Sequence, residues 1–138
     1  MSSDAVAKSP SISLEQAFEA EHARREAERQ ARLDAERKQQ ELDLANAQAL
    51  YDRLSGETAF LAEKGLTLQM SATRFTVTLE HEEFRITAYF EGGNADVRSA
   101  DKRNTSVPGA SAPRKQQAVE GVDDALLVIA QYLADETR

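Results

Sequence analysis

Three different patterns of hydrophobic and polar positions divide this chain. Residues 1 to 12 are small and polar without any period, which predicts a disordered leader. Ser13 and Gln16 have the spacing of a capping box, in which each side chain accepts a hydrogen bond from the other residue's backbone N–H. From residue 14 to residue 64 there is no proline, and the strong helix formers Ala, Glu, Arg, Gln and Leu dominate. The pattern therefore predicts a long helix that begins after Ser13.

The apolar content of this predicted helix changes along its length. Between residues 20 and 36 the nonpolar stripe consists of alanines, at Ala23, Ala27, Ala31 and Ala35. Acidic residues here precede basic ones by four positions, an arrangement that stabilises a helix in water; the pairs are Glu21 with Arg25, Glu28 with Arg32 and Asp34 with Lys38. Larger apolar side chains appear from Leu42 onward. We therefore expect residues 13 to 41 to form a charged, extended helix that either stands free or pairs through its alanines in a coiled coil, and residues 42 to 138 to form a compact domain.

Gly65 predicts the end of the helix, because a Schellman ending places glycine in the left-handed conformation and packs Leu66 back on Leu61. Apolar residues then alternate with polar ones in four runs, at residues 66 to 70, 75 to 79, 84 to 90 and 95 to 97. The phase of the alternation shifts across residues 71 to 73, which indicates a turn or bulge. These runs predict three or four β-strands.

The strand pairing follows from the rule that apolar residues of paired strands share one face of the sheet. Pairing Leu79 with Phe84 satisfies this rule with a four-residue loop, residues 80 to 83. Pairing Phe90 with Ala95 satisfies it with a two-residue turn of glycines, which tolerate positive φ. Both registers predict an antiparallel meander.

Residues 99 to 115 have loop composition and no period, and a connection of this length predicts a flexible or functional loop. The residues that follow have the spacing of one apolar helix face: Val119, Val122, Leu126, Ile129, Ala130 and Leu133. This helix is expected to cover one face of the sheet. The predicted class is therefore α+β: a long N-terminal helix, a three- to four-stranded antiparallel meander and a C-terminal helix.

Charge and cysteine content limit the classes of function. The 138 residues carry a net charge of -7, with acidic residues in excess at both ends and balanced by basic residues in the middle. A protein built to hold a phosphate backbone is normally basic, so this balance disfavours general nucleic-acid binding. The chain contains no cysteine, which excludes disulfides, thiolate metal sites and a thiol nucleophile. Without a signal sequence or an apolar span, we expect a cytoplasmic protein with no membrane contact.

Few residues offer catalytic or metal-binding chemistry. The two histidines, His22 and His81, are far apart in the sequence, and no nucleophile motif or phosphate-binding loop is present. Two carboxylates and an imidazole in residues 80 to 83 are suitable ligands for a divalent cation. Adjacent residues of a tight loop rarely converge on one ion, so a solvated hairpin tip is the preferred interpretation. We expect no enzymatic activity, no metal and no cofactor.

The predicted sheet has a second face that is polar. It carries Arg74, Thr76, Thr78, Arg85, Thr87, Tyr89 and Arg98. Arginine and tyrosine are frequent in binding sites, so Arg74, Arg85, Tyr89 and Arg98 are candidate partner-binding residues. Lys102 and Arg103 in the following loop would extend this patch. An ordinary solvated sheet face is the favoured alternative, and the two loop residues fit a role in keeping the loop soluble.

The helix from Leu42 onward is the strongest indication of function. Its apolar side chains are spread over more than one stripe, so one packed face cannot bury them all. The candidate interface residues are Leu42, Leu44, Ala45, Ala49, Leu50 and Leu54. We therefore expect a homodimer, and a protein-interaction module such as an oligomeric adaptor, assembly factor or inhibitor that binds a protein partner through its helix and sheet. The alternative is a nucleic-acid-associated dimer that uses the Arg and Tyr face.

Overall fold

The computed structural model describes residues 11 to 103 and 113 to 137. The elements are α1 (Leu14–Ser55), α2 (Thr58–Glu63), β1 (Thr67–Ser71), β2 (Thr76–Glu80), β3 (Phe84–Glu91), β4 (Asn94–Asp101), β5 (Pro113–Val119) and α3 (Val122–Glu136). The chain divides into two units, of which the first ends at Arg37. The predicted α+β class, with a long N-terminal helix, an antiparallel meander and a C-terminal helix on the sheet, is confirmed.

The capping box predicted at the start of α1 is present. The Ser13 N–H donates to Gln16 Oε1 and the Gln16 N–H donates to Ser13 Oγ, each over 3.1 Å. In the unit that ends at Arg37 the side chains are largely exposed, and ion pairs link successive turns of the helix. Glu21 pairs with Arg25 as predicted, whereas Glu28 pairs with Arg24.

The predicted continuous helix to residue 64 is interrupted between α1 and α2. Gly56 lies at the break, where the N–H of Glu57 donates to the Leu54 carbonyl over 3.0 Å. Glycine loses more conformational freedom in a helix than any other residue, and this favours the break. The Schellman ending after α2 is confirmed: Leu66 N–H bonds to Leu61 O, and Gly65, at φ +69°, bonds to Ala62 O.

The sheet contains five strands in the order β1-β2-β3-β4-β5, rather than the three or four predicted. The additional strand is β5, which pairs antiparallel with β4. Its sequence, Pro-Arg-Lys-Gln-Gln-Ala-Val, has no apolar alternation, so the pattern predicts a loop up to residue 115 and places Val119 in the last helix. Residues 99 to 101 and 113 to 115, the ends of the predicted loop, are strand residues. Residues 104 to 112 of that loop and residues 1 to 10 of the predicted leader lie outside the described residues.

The two predicted registers have different outcomes. Phe90 lies opposite Ala95 as predicted, and the turn between them uses positive φ at Gly92 (62°) and Gly93 (86°). The β2–β3 register is wrong by two residues, because Leu79 lies opposite Ile86. A shift of two keeps every apolar side chain on the same face, so the hydrophobic pattern cannot distinguish the two registers.

The hydrophobic core lies between one face of the sheet and the helices. Its largest fully buried side chains include Phe84, Phe90, Leu50, Leu79 and Ile86. On α1 the buried positions are 43, 47, 50 and 54, a helical spacing that begins with an aspartate.

Helix α3 packs on the sheet through a face that partly overlaps the predicted one, since Ile129 and Leu133 are buried as predicted. The buried apolar residues are Ala125, Val128, Ile129, Tyr132 and Leu133, whereas Leu126 is half-buried and Ala130 is exposed. The apolar stripe of α3 is therefore wider than its contact with the sheet.

Asp43 joins α1 to the turn between β3 and β4. Its carboxylate accepts hydrogen bonds from the backbone N–H of Gly92 over 2.8 Å and of Gly93 over 3.1 Å. The side-chain amide of Gln39 donates a third hydrogen bond over 3.1 Å. Only 3% of Asp43 is exposed, and these donors replace the water that the buried carboxylate loses.

Candidate interaction surfaces

The face of the sheet opposite the core carries the predicted polar side chains. Thr78, Thr87 and Arg98 lie side by side across β2, β3 and β4, in the row that also contains Gln69 on β1 and Gln116 on β5. A shallow depression of about 270 Å³ is lined by Gln69, Arg74, Thr76, Thr78, Glu80, Arg85, Thr87 and Tyr89. The structure therefore brings Arg74, Arg85 and Tyr89 together, and Arg98 lines a neighbouring depression with Tyr89.

Acidic side chains neutralise part of this face. Arg85 donates to the Glu80 carboxylate over 2.9 Å, and Arg98 donates to Asp96 over 3.1 Å. The Arg98 guanidinium also lies 4.2 Å from the centre of the Tyr89 ring. The hydrogen bond to Asp96 raises the pKa of Arg98 above its ordinary value. Two of the three candidate arginines, Arg85 and Arg98, are thus already paired, which weakens their attraction for a phosphate.

Lys102 and Arg103, predicted to extend the patch, contact acidic residues of the chain itself. Lys102 pairs with Glu80 and donates to the His81 carbonyl over 2.7 Å. Arg103 donates to Asp101 over 3.0 Å and also pairs with the buried Glu136 on α3. These pairs attach the end of β4 to the β2–β3 hairpin and to α3, so the two side chains have a structural role here.

The loop at residues 80 to 83 is also held by internal contacts. Burial acts to raise the pKa of Glu80, but hydrogen bonds from Arg85 and Lys102 outweigh it, and the pKa lies below its ordinary value. His81 Nδ1 accepts from the Glu83 N–H over 3.0 Å, and its ring stacks on Phe84. Among the described residues no group of three acidic or histidine side chains is placed to hold a metal ion.

The six candidate interface residues of α1 lie in two different environments. Leu50, with no exposed surface, and Leu54 belong to the core of their own chain and are not free to contact a partner. The other four are exposed: Leu42, Leu44, Ala45 and Ala49. Leu42 keeps 60% of its surface exposed. The homodimer predicted from this helix stays a prediction, with a smaller contact surface than expected.

A groove between the end of α1, α2 and α3 was not predicted from the sequence. It encloses about 490 Å³, and its lining is apolar except for Glu57, Lys64 and Thr137. Five residues of α3 line it: Ile129 and Leu133 also belong to the core, whereas Leu126, Ala130 and Ala134 lie outside the buried set of this helix. The width of the apolar stripe of α3 is the sequence signal for this groove, although the stripe alone predicts only packing on the sheet.

Phe60 lies at the rim of this groove and keeps 42% of its surface exposed. The Lys64 ammonium lies 5.8 Å from the centre of its ring. An apolar depression with an exposed aromatic ring and one cation at its edge has the composition of a surface that takes up apolar side chains.

Across the described ranges, no helix has both the length and the apolar character needed to cross a membrane. The chain matches no family model, no curated protein and no solved structure.

Proposed function

We propose that this chain is a non-enzymatic protein-interaction module that binds an apolar helical segment of a partner protein in the groove beside α3. The observation that supports it is the apolar groove itself, with Leu126, Ala130 and Phe60 accessible from solvent. An amphipathic helix presents apolar side chains at i, i+3, i+4 and i+7, and such side chains suit a groove between helices. The partner is therefore a protein with two or three large aliphatic or aromatic residues at this spacing.

The size of the groove sets the expected strength of the complex. Burial of one large apolar side chain contributes about 1.5 to 3 kcal/mol, and the groove has room for two or three such side chains. Association itself costs at least about 4 kcal/mol in lost freedom of motion. At most about 5 kcal/mol remains, which corresponds to a weak complex with a Kd of about 0.2 mM or above, unless contacts at the rim add to it.

The alternative of a nucleic-acid-associated protein rests on the polar sheet face. A phosphate there would have to displace Glu80 from Arg85 and Asp96 from Arg98. A base stacked on Tyr89 would compete with the guanidinium that already covers the ring. These contacts favour the protein partner, and they restrict nucleic-acid binding to the vicinity of Arg74.

The test uses a photoreactive phenylalanine analogue in place of Phe60, expressed in the native cell. One partner protein is expected to cross-link through an apolar helical segment. Ala130→Arg, which places a charge in the groove, is expected to lower the yield of the cross-linked complex about tenfold or more. Because Ala130 is exposed, the free energy of unfolding is expected to change by less than about 0.5 kcal/mol.

The matched control is Gln131→Arg, on the exposed surface of the same helix but outside the groove. It adds the same charge and is expected to leave the yield unchanged. Equal yields in the two variants, or cross-links to nucleic acid alone, would contradict the proposed function.

A further inference from the structure

The two edges of the sheet differ in chemistry. β5 carries Lys115 and begins at Pro113, which has no backbone N–H, and charged residues and proline are the usual protection of an edge strand. β1 has the sequence Thr-Leu-Gln-Met-Ser, with neither a charge nor a proline. Among the described residues no strand pairs with the outer side of β1. This edge is therefore available for addition of another strand.

The sequence of β1 is complementary to itself. If two copies of β1 pair antiparallel with Gln69 opposite Gln69, then Leu68 lies opposite Met70 and Thr67 lies opposite Ser71. Apolar residues then meet apolar ones on the core side and polar residues meet polar ones on the other side, as alternation requires. Among registers that keep this alternation, the one centred on Gln69 pairs all five residues of the strand.

We propose that two copies of this chain associate through their β1 edges, across a two-fold axis at Gln69, and join their five-stranded sheets into one. The pairing satisfies backbone groups on the outer side of β1 and covers Leu68 and Met70, which are only half-buried at the margin of the core. The two-fold rotation that relates the copies keeps their two core faces on one side of the joined sheet. The exposed Phe60 of each α2 lies on that side as well. The contact is isologous, so it closes at a dimer.

A five-residue strand pair buries less area than a standard protein interface, so the dimer is expected to be weak, with a Kd of about 1 to 100 µM. Sedimentation equilibrium of the full chain at concentrations from about 1 to 500 µM, which span the expected Kd, should show a monomer–dimer equilibrium. Hydrogen exchange of the amides of residues 67 to 71 is expected to slow as the fraction of chains in the dimer increases.

Gln69→Lys tests the position of the axis, because it places like charges directly opposite each other. The Kd is expected to rise about fivefold or more, while the melting temperature of the monomer stays unchanged because Gln69 is exposed. An equal mixture of the Gln69→Lys and Gln69→Glu chains is expected to recover the dimer, since opposite charges then meet on the axis.

Gln116→Lys is the matched control, since Gln116 is exposed on β5 in the same row of the sheet. It is expected to leave the Kd unchanged. A chain that is monomeric at 500 µM, well above the expected Kd, overturns the proposal. A dimer weakened by Leu42→Glu and not by Gln69→Lys also overturns it, by placing the contact on α1.

The groove variant Ala130→Arg is expected to leave this equilibrium unchanged. Failure of the β1 pairing is thereby distinguished from failure of the proposed partner binding, because the two proposals depend on different residues.

Discussion

Leu50→Asp is expected to abolish the native fold of the sheet and the helices packed on it. Leu50 has no exposed surface and lies in the core with Phe90 and Val97. Loss of its side chain alone costs about 2 to 5 kcal/mol, and burial of an unpaired carboxylate adds several more. A domain of this size is stable by about 5 to 15 kcal/mol in total. Thermal unfolding followed by circular dichroism is expected to show no cooperative transition.

Leu42→Asp, two turns earlier on α1, is the control. Leu42 is 60% exposed, so the same substitution is expected to change the free energy of unfolding by less than about 1 kcal/mol. If Leu50→Asp melts like the wild-type chain, then Leu50 does not lie in the core. The prediction that Leu50 belongs to an exposed interface of α1 would then stand.

Asp43→Ala is expected to lower the free energy of unfolding by about 2 to 4 kcal/mol. The substitution removes a buried acceptor that binds the N–H groups of Gly92 and Gly93, and hydrogen bonds to a charged group contribute about 1.5 to 3 kcal/mol each. The lower end of the range is expected if water reaches the exposed turn and replaces the carboxylate. Equilibrium unfolding in urea, analysed by linear extrapolation, measures the loss.

Two further variants separate the hydrogen bonds of Asp43 from a general effect of removing an acid. Asp52→Ala removes an exposed carboxylate of the same helix that accepts from Gln48, and is expected to cost less than about 0.5 kcal/mol. Asp43→Asn keeps the shape and one acceptor oxygen, and is expected to cost less than Asp43→Ala. Equal losses for Asp43→Ala and Asp52→Ala would show that the contact with the turn adds no stability.

The features that the sequence predicted correctly depend on local chemistry. The capping box at Ser13 and the Schellman ending at Gly65 involve residues a few positions apart, and their hydrogen bonds follow from residue type and spacing. The turn at Gly92 and Gly93 fixed the β3–β4 register for the same reason. The broad order of helix, meander and helix follows from the change of period along the chain.

The features that were missed depend on contacts between distant segments. The strand β5 forms because β4 supplies a partner, although its own sequence has no strand pattern. The role of Asp43 has no signal in the sequence, because only the approach of the β3–β4 turn makes its carboxylate a buried acceptor. The groove exists because α2 and α3 leave a gap, which no spacing of residues along one helix reveals.

Among the candidate binding residues, Arg85, Tyr89 and Arg98 share the polar face of the sheet because face follows from parity, whereas Arg74 lies in the turn before β2. The sequence could not indicate that Glu80 and Asp96 pair with Arg85 and Arg98, since that depends on the final register and on side-chain rotamers. The division of the candidate interface residues of α1 into buried and exposed sets likewise required knowledge of which helix face packs on the sheet.

The consecutive order of the five strands has a consequence for the kinetics of folding. Each strand pairs with its neighbour in sequence, and the β1–β2, β2–β3 and β3–β4 hairpins close loops of two to four residues at low entropic cost. The contact from Asp43 to the β3–β4 turn spans 49 and 50 residues and is among the slow events. We therefore expect these hairpins to form within microseconds and the docking of α1 and α3 onto the sheet to be slower.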